Sequence, residues 1–464
     1  MISNLHFDTE QIREQDRHWI HPWENFKTAG TTPRTIIARS EGIYLTDTEG
    51  NRLIDGPAGM WCVNIGHGNS EMAEAIAEQV RRMPYYSPWS LGNVPAAELS
   101  AKLAALAPGD LDHVFFTTGG STAVDSALRF VMYLNNCLGR PEKKHIISRQ
   151  DAYHGATYLA ASCSGKPRDK VLLDFETGFI HHIGSPNPYR RPAELSVEDF
   201  CDARIAELEA KILELGPNRV AAFIAEPVLA SGGVIVPPPG YHKRCLEVCR
   251  RHDVLYISDE VVTAFGRLGH FFASEAVFEV VPDIILTAKG ITSGYLPLGA
   301  VLISDRLIQQ LSGKETESGM FASGFTYSGH PVVCAAALKN LEIMARDGFM
   351  EHVREVGPYF QARLRELADI PIVGEVRGMG LMACVECALD GDARDSLEVG
   401  YDVGARIDRH CQALGLLVRP LGPMCVMSPP LIITKAQIDE LVGILRKGIE
   451  AAMAELRAEG IWKG

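Results

Sequence analysis

Four places in this sequence set a chemically capable side chain just beyond a short apolar run. The run 284–288, Ile-Ile-Leu-Thr-Ala, stops at Lys289, and Gly290, Thr292, Ser293, Gly294 and Tyr295 follow closely. Lysine normally stays in water. At the end of a buried strand its ammonium tends to lose its charge, and the neutral amine is a nucleophile. Residues 255–258 lead to Asp259-Glu260, and 220–225 lead to Glu226-Pro227. Carboxylates in such places are costly to bury unless something cationic pairs with them. Residues 113–117 lead through Gly119-Gly120-Ser121 into a helical pattern. Ser121 has the side chain of an N-cap, and the glycines let backbone N–H groups face a ligand. A helix start of that kind is a ready phosphate site. Taken singly, each place also fits a plain capped turn, a solvated acid or an emerging lysine.

Taken together they are more specific. In an open parallel sheet, ligands bind beyond the carboxyl ends of the strands. A phosphate cradle, a carboxylate and a lysine, each at such an end, match the needs of pyridoxal 5′-phosphate. The phosphate takes the helix start, the aldehyde joins Lys289, and Asp259 faces the ring nitrogen and keeps it protonated. Tyr153-His154-Gly155 offers an aromatic ring beside a glycine to cover one face of the cofactor.

The elements that must position these residues read as an α/β architecture. Strands are expected at 113–117, 145–148, 220–225, 255–258 and 284–287. They alternate with helical periodicity at 70–82, 95–106, 122–136, 200–214 and 240–251, which argues for a mainly parallel sheet flanked by helices. Residues 41–55 read as a hairpin around Thr48-Glu49-Gly50-Asn51. Beyond about 331 come helices at 331–346 and 349–368, a Gly-punctuated strand pair at 373–386, and a helix at 400–413. The short strand Gly415-Leu416-Leu417-Val418-Arg419 and a last helix at 436–457 complete the chain. The expected organisation is an N-terminal segment, 1–65, joining a small α+β domain at 331–464, with a large cofactor-binding domain at 66–330.

Bulk properties narrow the class. The chain has 464 residues, 46% hydrophobic and 22% charged, with a net charge of −13. That acidity argues against nucleic acid as a main partner. No apolar run reaches membrane-helix length, and the N-terminus lacks a secretory pattern, so a cytoplasmic location is expected. The eleven cysteines are odd in number and scattered, unlike a disulfide framework. Cys384 and Cys387 read as core thiols, and no metal site is expected.

Phe116–Arg129, Tyr153-His154-Gly155, the run 258–269, the run 288–300 and the run 325–338 resemble the class III (ω-) aminotransferases of fold type I, in that family's order and spacing. The resemblance implies a seven-stranded, mainly parallel sheet in the large domain and a pyridoxal-phosphate enzyme (EC 2.6.1.-). It implies Lys289 as the lysine that carries the cofactor and Asp259 as partner of the ring nitrogen. Gly120 and Ser121 match the phosphate cup, Tyr153 and Val261 the residues on the two ring faces, and Glu226 an acid near the cofactor's hydroxyl. Thr326 matches a threonine reaching the phosphate of a neighbouring subunit, which implies a homodimer with shared sites, alone or paired into a tetramer. Arg419 matches an arginine that binds the acceptor's carboxylate and swings aside for uncharged donors; Met60, Trp61 and Trp89 match pocket walls. The implied reaction is ping-pong transfer from an amine or ω-amino acid to pyruvate or a similar keto acid or aldehyde. An aminomutase or decarboxylase of the same fold is the alternative. Three positions depart from the family's usual pattern: the run Thr122-Ala123-Val124, Ala264 and Leu268.

Overall fold

The structure, a computed structural model, describes residues 7–30, 34–312, 319–346, 348–388 and 402–464. Three N-terminal strands, β1 (Ile37–Glu41), β2 (Tyr44–Asp47) and β3 (Arg52–Asp55), form an antiparallel meander. The expected hairpin is its β2–β3 half. Asp47 Oδ1 closes the turn by accepting the N–H groups of Glu49 (2.9 Å) and Asn51 (2.8 Å).

The central sheet has seven strands: β4 (His113–Thr117), β5 (His145–Arg149), β6 (Ile180–Ile183), β7 (Val220–Ala225), β8 (Leu255–Asp259), β9 (Ile284–Thr287) and β10 (Gly299–Ile303). Their order is β4-β10-β9-β8-β7-β5-β6. Only β10 runs against its neighbours. Every residue of β7 and β9 is buried, as continuous apolar runs in a two-sided parallel sheet require. Alternate residues serve opposite faces. Ala222 and Ile224 pack with the helix Gly120–Cys137, while Phe223 and Ala225 pack with the helices Val197–Leu215 and Tyr241–Arg251. Strands β6 and β10 were absent from the residue-level expectations. In β6, His181 and His182 point to opposite sides: His181 Nε2 meets His145 Nδ1 at 2.8 Å, and His182 meets the Cys163 carbonyl.

Four further strands form an antiparallel sheet in the order β11-β12-β15-β14: β11 (Val373–Met379), β12 (Met382–Cys387), β14 (Arg419–Leu421) and β15 (Met424–Met427). The expected single strand 415–419 is corrected here. Its first part, β13 (Leu416–Leu417), pairs in parallel with β3, and the chain then crosses at Val418 into the other sheet. That switch points the chain at Arg419 into a new environment. The helix expected at 400–413 is Val403–Ala413, and its first two expected residues lie outside the described ones. Cys384 and Cys387 are fully buried, and burial pushes both thiols up to about 12, as core thiols should be.

One buried cation ties distant segments together. Arg267 is wholly enclosed and donates to the carbonyls of Leu381 (3.0 Å) and Pro429 (2.6 Å) and to Asn64 Oδ1 (2.9 Å). Among the described residues no carboxylate hydrogen-bonds to it, and burial pulls its guanidinium down to about 9. Truncation leaves three acceptors without a donor and opens a cavity. Arg267→Ala is therefore expected to destabilise the fold by about 3 kcal/mol or more, read as a lower urea midpoint.

Candidate functional site

The carboxyl ends of β4, β7, β8 and β9 meet at one edge of the sheet, and the candidate residues lie there. After β9 the chain turns sharply. Lys289 has φ +45° and Ser293 φ +49°, a conformation that costs a non-glycine residue about 1 kcal/mol or more. The turn is held from outside. Asn340, on the helix Pro331–Met344, donates to the carbonyls of Gly290 and Ile291 (2.9 Å each) and accepts from Ser293 Oγ (2.7 Å). Asn64 lies against Gly290 so closely that a Cβ there would come within 2.5 Å of Asn64 Nδ2. Lys289 itself makes no hydrogen bond to the described residues. Burial lowers its proton affinity, the charges of Asp259, Cys62 and Glu226 oppose that, and Arg419 reinforces it.

Asp259, the last residue of β8, is buried. Its Oδ2 lies 2.6 Å from His154 Nδ1, and its Oδ1 accepts the Val261 N–H at 3.1 Å. The far ring nitrogen of His154, Nε2, is buried with no partner among the described residues. Glu226 follows β7. Its Oε1 accepts the Tyr153 N–H (2.9 Å) and its Oε2 the Ala230 N–H (3.0 Å), while burial raises its proton affinity. Asp259's neighbour has another use: Glu260 is fully buried and accepts the N–H groups of Ala273 (2.7 Å) and Ser274 (2.9 Å). It is a structural acid.

The helix start differs from expectation in one respect. Gly119, not Ser121, occupies the cap position of Gly120–Cys137, and no side chain caps it. The N–H groups of Gly120, Ser121 and Thr122 consequently have no acceptor among the described residues. The Ser121 hydroxyl instead accepts the N–H of Ala156 at 3.0 Å, which leaves its hydrogen free to donate outward. Gly155, at φ +137°, permits this approach, since a Cβ there would sit 2.5 Å from Ser121 Oγ. Val261 lies over Gly120, 3.2 Å from where a Cβ would be.

Tyr153 is partly buried. The Trp23 ring stands 5.9 Å from it, and Lys166 Nζ lies 4.9 Å over its face. Arg419, the first residue of β14, has its guanidinium 5.9 Å over the Trp61 ring. Its side chain makes no hydrogen bond or ion pair with the described residues, and burial pushes its proton affinity down. Trp61 is buried at φ +68° in an apolar cluster with Val228, Ala230 and Leu421.

The structure thus gathers Lys289, Asp259, Glu226, Tyr153, Val261, Gly120 and Ser121, with Arg419 and Trp61 beside them. It does not bring Thr326 or Trp89 to that cluster. Both are exposed, Trp89 by 68%, and they share another face: Trp89 borders Gly324, and the Thr326 carbonyl accepts from Tyr85 at 2.8 Å. Sequence reasoning missed the tie between His154 and Asp259, although His154 stands within the quoted Tyr-His-Gly triplet. Asn64, Asn340, Trp23 and Lys166 carried no local signal. Ala264 and Leu268 are buried in apolar clusters.

The bare helix start, the lysine without a partner and the buried carboxylate held by a histidine suit a group with a phosphate, an aldehyde and a basic ring nitrogen. His154→Phe removes a hydrogen bond from a buried carboxylate, worth about 1.5–3 kcal/mol. It should weaken affinity for pyridoxal 5′-phosphate by roughly tenfold to a hundredfold, in a titration of the folded apoprotein.

Comparison with known proteins agrees with this geometry. Residues 26–449 match the family described as aminotransferase class-III. A putrescine–pyruvate aminotransferase of Pseudomonas aeruginosa is 39% identical over 459 residues, 98% of this chain and 99% of that protein. A mitochondrial gamma-aminobutyrate transaminase 1 of Oryza sativa subsp. indica is 40% identical, over 91% of this chain and 83% of that one. An (S)-enantioselective omega-transaminase from Thermomicrobium roseum superposes with a TM-score of 0.92 at 38% identity, covering 98% of this chain and 100% of the other. The chain belongs to the class III aminotransferases, enzymes of fold type I that work with pyridoxal 5′-phosphate.

Proposed function

We propose that this enzyme moves an amino group from a primary amine or ω-amino acid to pyruvate, or to a similar keto acid or aldehyde, by a ping-pong route. The observation that carries the reading is Arg419, a half-buried guanidinium that forms no ion pair among the described residues, beside the lysine and the aromatic wall. Guanidinium takes a carboxylate through two parallel hydrogen bonds, and pyruvate brings one carboxylate. The similarity to a putrescine–pyruvate aminotransferase supports the same acceptor.

In this reading the free N–H groups of Gly120 and Ser121, with the Ser121 hydroxyl, hold the phosphate at the positive end of the helix. Tyr153 and Val261 flank the ring, and Glu226 serves its hydroxyl side. Bound pyridoxal 5′-phosphate supplies an electron sink conjugated with the substrate's nitrogen. Asp259, oriented by His154, holds a proton on the facing ring nitrogen. Lys289 Nζ would hold the cofactor through its aldehyde, and as a free amine it takes the proton from the substrate's amine-bearing carbon and hands it on. Burial lowers the Lys289 proton affinity from the ordinary value, which keeps a neutral fraction available for that step. Trp61 and Tyr153 form the apolar wall.

Trp89 and Thr326 enter through a second copy. Tyr327, also exposed, packs against Tyr85 on their shared face, the kind of exposed aromatic surface a two-fold interface covers. We infer a homodimer in which each chain lends Thr326 and Trp89 to its neighbour's site, alone or as half of a tetramer. The chain is read as an N-terminal segment, 1–65, a cofactor domain, 66–330, and a small domain, 331–464. Among the described residues no helix is long and apolar enough to cross a membrane, and a cytoplasmic location is proposed.

Two substitutions test the roles. Lys289→Ala should abolish transamination while leaving the thermal midpoint within a few degrees, because the side chain adds no hydrogen bond to the fold. Borohydride reduction of the wild type should fix the cofactor's mass on the peptide containing residue 289. A label elsewhere, or substantial turnover in the variant, refutes the assignment. Arg419→Ala should lower kcat/KM for pyruvate by about a hundredfold, for the loss of a bidentate charged pair, and that for a neutral aldehyde far less. Equal losses would exclude carboxylate recognition at this residue.

A further inference from the structure

Trp89 and Thr326 are far apart in the chain, yet their segments are joined at several points. Trp89 lies in the stretch 83–93, between the helices Ser70–Arg82 and Val94–Leu106, and Thr326 in the stretch 319–330, which leads into the helix Pro331–Met344. Tyr85 Oη donates to the Thr326 carbonyl at 2.8 Å, and Asn93 Nδ2 donates to the Gly329 carbonyl at 2.9 Å. The Tyr85 ring meets those of Tyr327 and His330, with centroids 5.8 and 5.6 Å away. Thr326 itself sits on a tight turn, in which the Ser328 N–H donates to the Phe325 carbonyl (3.0 Å) and the Phe325 N–H to Ser328 Oγ (3.2 Å). The other end of the stretch is anchored by Phe321, whose ring lies 5.2 Å from that of Tyr133 and 5.9 Å from that of Phe130.

These bonds fix position more than they add stability. Thr326 is exposed, so water could serve its carbonyl nearly as well as a tyrosine hydroxyl does. What Tyr85 settles is where the main chain of Thr326 lies. Asn93 works at both ends of its amide. Its Oδ1 accepts the Ala96 N–H at 2.9 Å and caps the helix Val94–Leu106, while its Nδ2 reaches Gly329. Gly329, buried at φ +63°, packs so close to that helix that a Cβ on it would lie 3.3 Å from the Ala96 Cβ. One frame therefore places both the tryptophan and the threonine. A side chain lent to another subunit has to be set by its own chain, because its rotamer and backbone must be in place before the ligand arrives.

We propose that Tyr85 and Asn93 are positioning residues that lock Trp89 and Thr326 into one unit, so that each chain presents a hold on its neighbour's phosphate and a wall of its neighbour's substrate pocket together. The proposal rests on the shared-site reading above. It couples the two ends of the site: loosening the frame costs cofactor affinity and amine turnover at once.

Tyr85→Phe removes only the hydroxyl. It should leave the dimer intact and weaken affinity for pyridoxal 5′-phosphate about fivefold to tenfold, the order of one hydrogen bond, in a titration of the folded apoprotein. It should also lower kcat/KM for an uncharged arylalkyl amine by a similar factor. Asn93→Asp keeps the helix cap, loses the donor to Gly329 and should show the same two losses. In a Thr326→Ala background Tyr85→Phe should weaken the cofactor no further, because the threonine it places is gone. Unchanged cofactor affinity in either variant, a cofactor loss without the amine loss, or a loss undiminished in the Thr326→Ala background overturns the proposal. So does a Tyr85→Phe protein that sediments as a monomer, which assigns the bond to assembly alone. If the wild type sediments as a monomer with full cofactor affinity and turnover, it is the shared-site reading that fails, a result distinguishable from all of these.

Discussion

An amine that burial strips of part of its proton affinity, set among the charges of Asp259, Glu226 and Arg419, is the interaction on which the arrangement depends. Opposite charges favour the ammonium; the low-dielectric surroundings and the guanidinium favour the free amine. The balance exists only because β7, β8 and β9 run parallel, so that each releases its terminal side chain at the same edge. A one-residue slip in any of them would turn its functional residue to the opposite face of the sheet.

Holding the lysine there takes a backbone that its neighbours must impose. Lys289 and Ser293 both have positive φ, as do Phe265, Trp61 and Ala58 nearby in the fold. Each is unfavourable for an L-residue, and such strain persists only where surrounding contacts over-determine it. Asn340 grips the lysine turn through three hydrogen bonds. Asn64 bridges Phe265, whose carbonyl it meets at 2.7 Å, to Arg267. Arg267 in turn anchors the segments around Leu381 and Pro429. The sheet β11-β12-β15-β14 is thereby tied to the turn that presents Lys289, and Arg419, which lies in that sheet, inherits its position from the same network.

The parts of this that the sequence made legible are those where chemistry and local pattern coincide. Lys289, Asp259 and Glu226 each end an apolar run, so period and residue type pointed the same way. The Gly119-Gly120-Ser121 stretch announced a helix start, but not the role of the serine. Choosing between a cap and a donor depends on Gly155, thirty-four residues on, which lets the Ala156 N–H reach the hydroxyl. The split of 415–419 between two sheets was hidden because both halves are short and apolar, and only long-range pairing with β3 separates them. Strand β6 was obscured by its two central histidines, which suit a strand edge only through partners in β5 and at Cys163. Asn64 and Asn340 had no local signature at all, since an asparagine in a helix or a turn is ordinary until its partner is known.

Polar groups left without protein partners carry the remaining argument. A folded chain satisfies nearly all of its buried donors and acceptors. Here, among the described residues, the first three N–H groups of Gly120–Cys137 and the buried His154 Nε2 have no partner, and the half-buried Lys289 Nζ and Arg419 guanidinium beside them make no hydrogen bond. They differ in what they need: an anion for the helix start, a carbonyl carbon for the amine, a carboxylate for the guanidinium. One small molecule cannot meet all of these needs, whereas a phosphorylated aldehyde and a keto acid together do. The same reasoning separates Arg267 from Arg419. Neither guanidinium forms an ion pair with a carboxylate among the described residues, but the first, which is buried, spends its donors on backbone carbonyls and Asn64 and is structural. The second spends none on the described residues, as the carboxylate contact proposed for it requires.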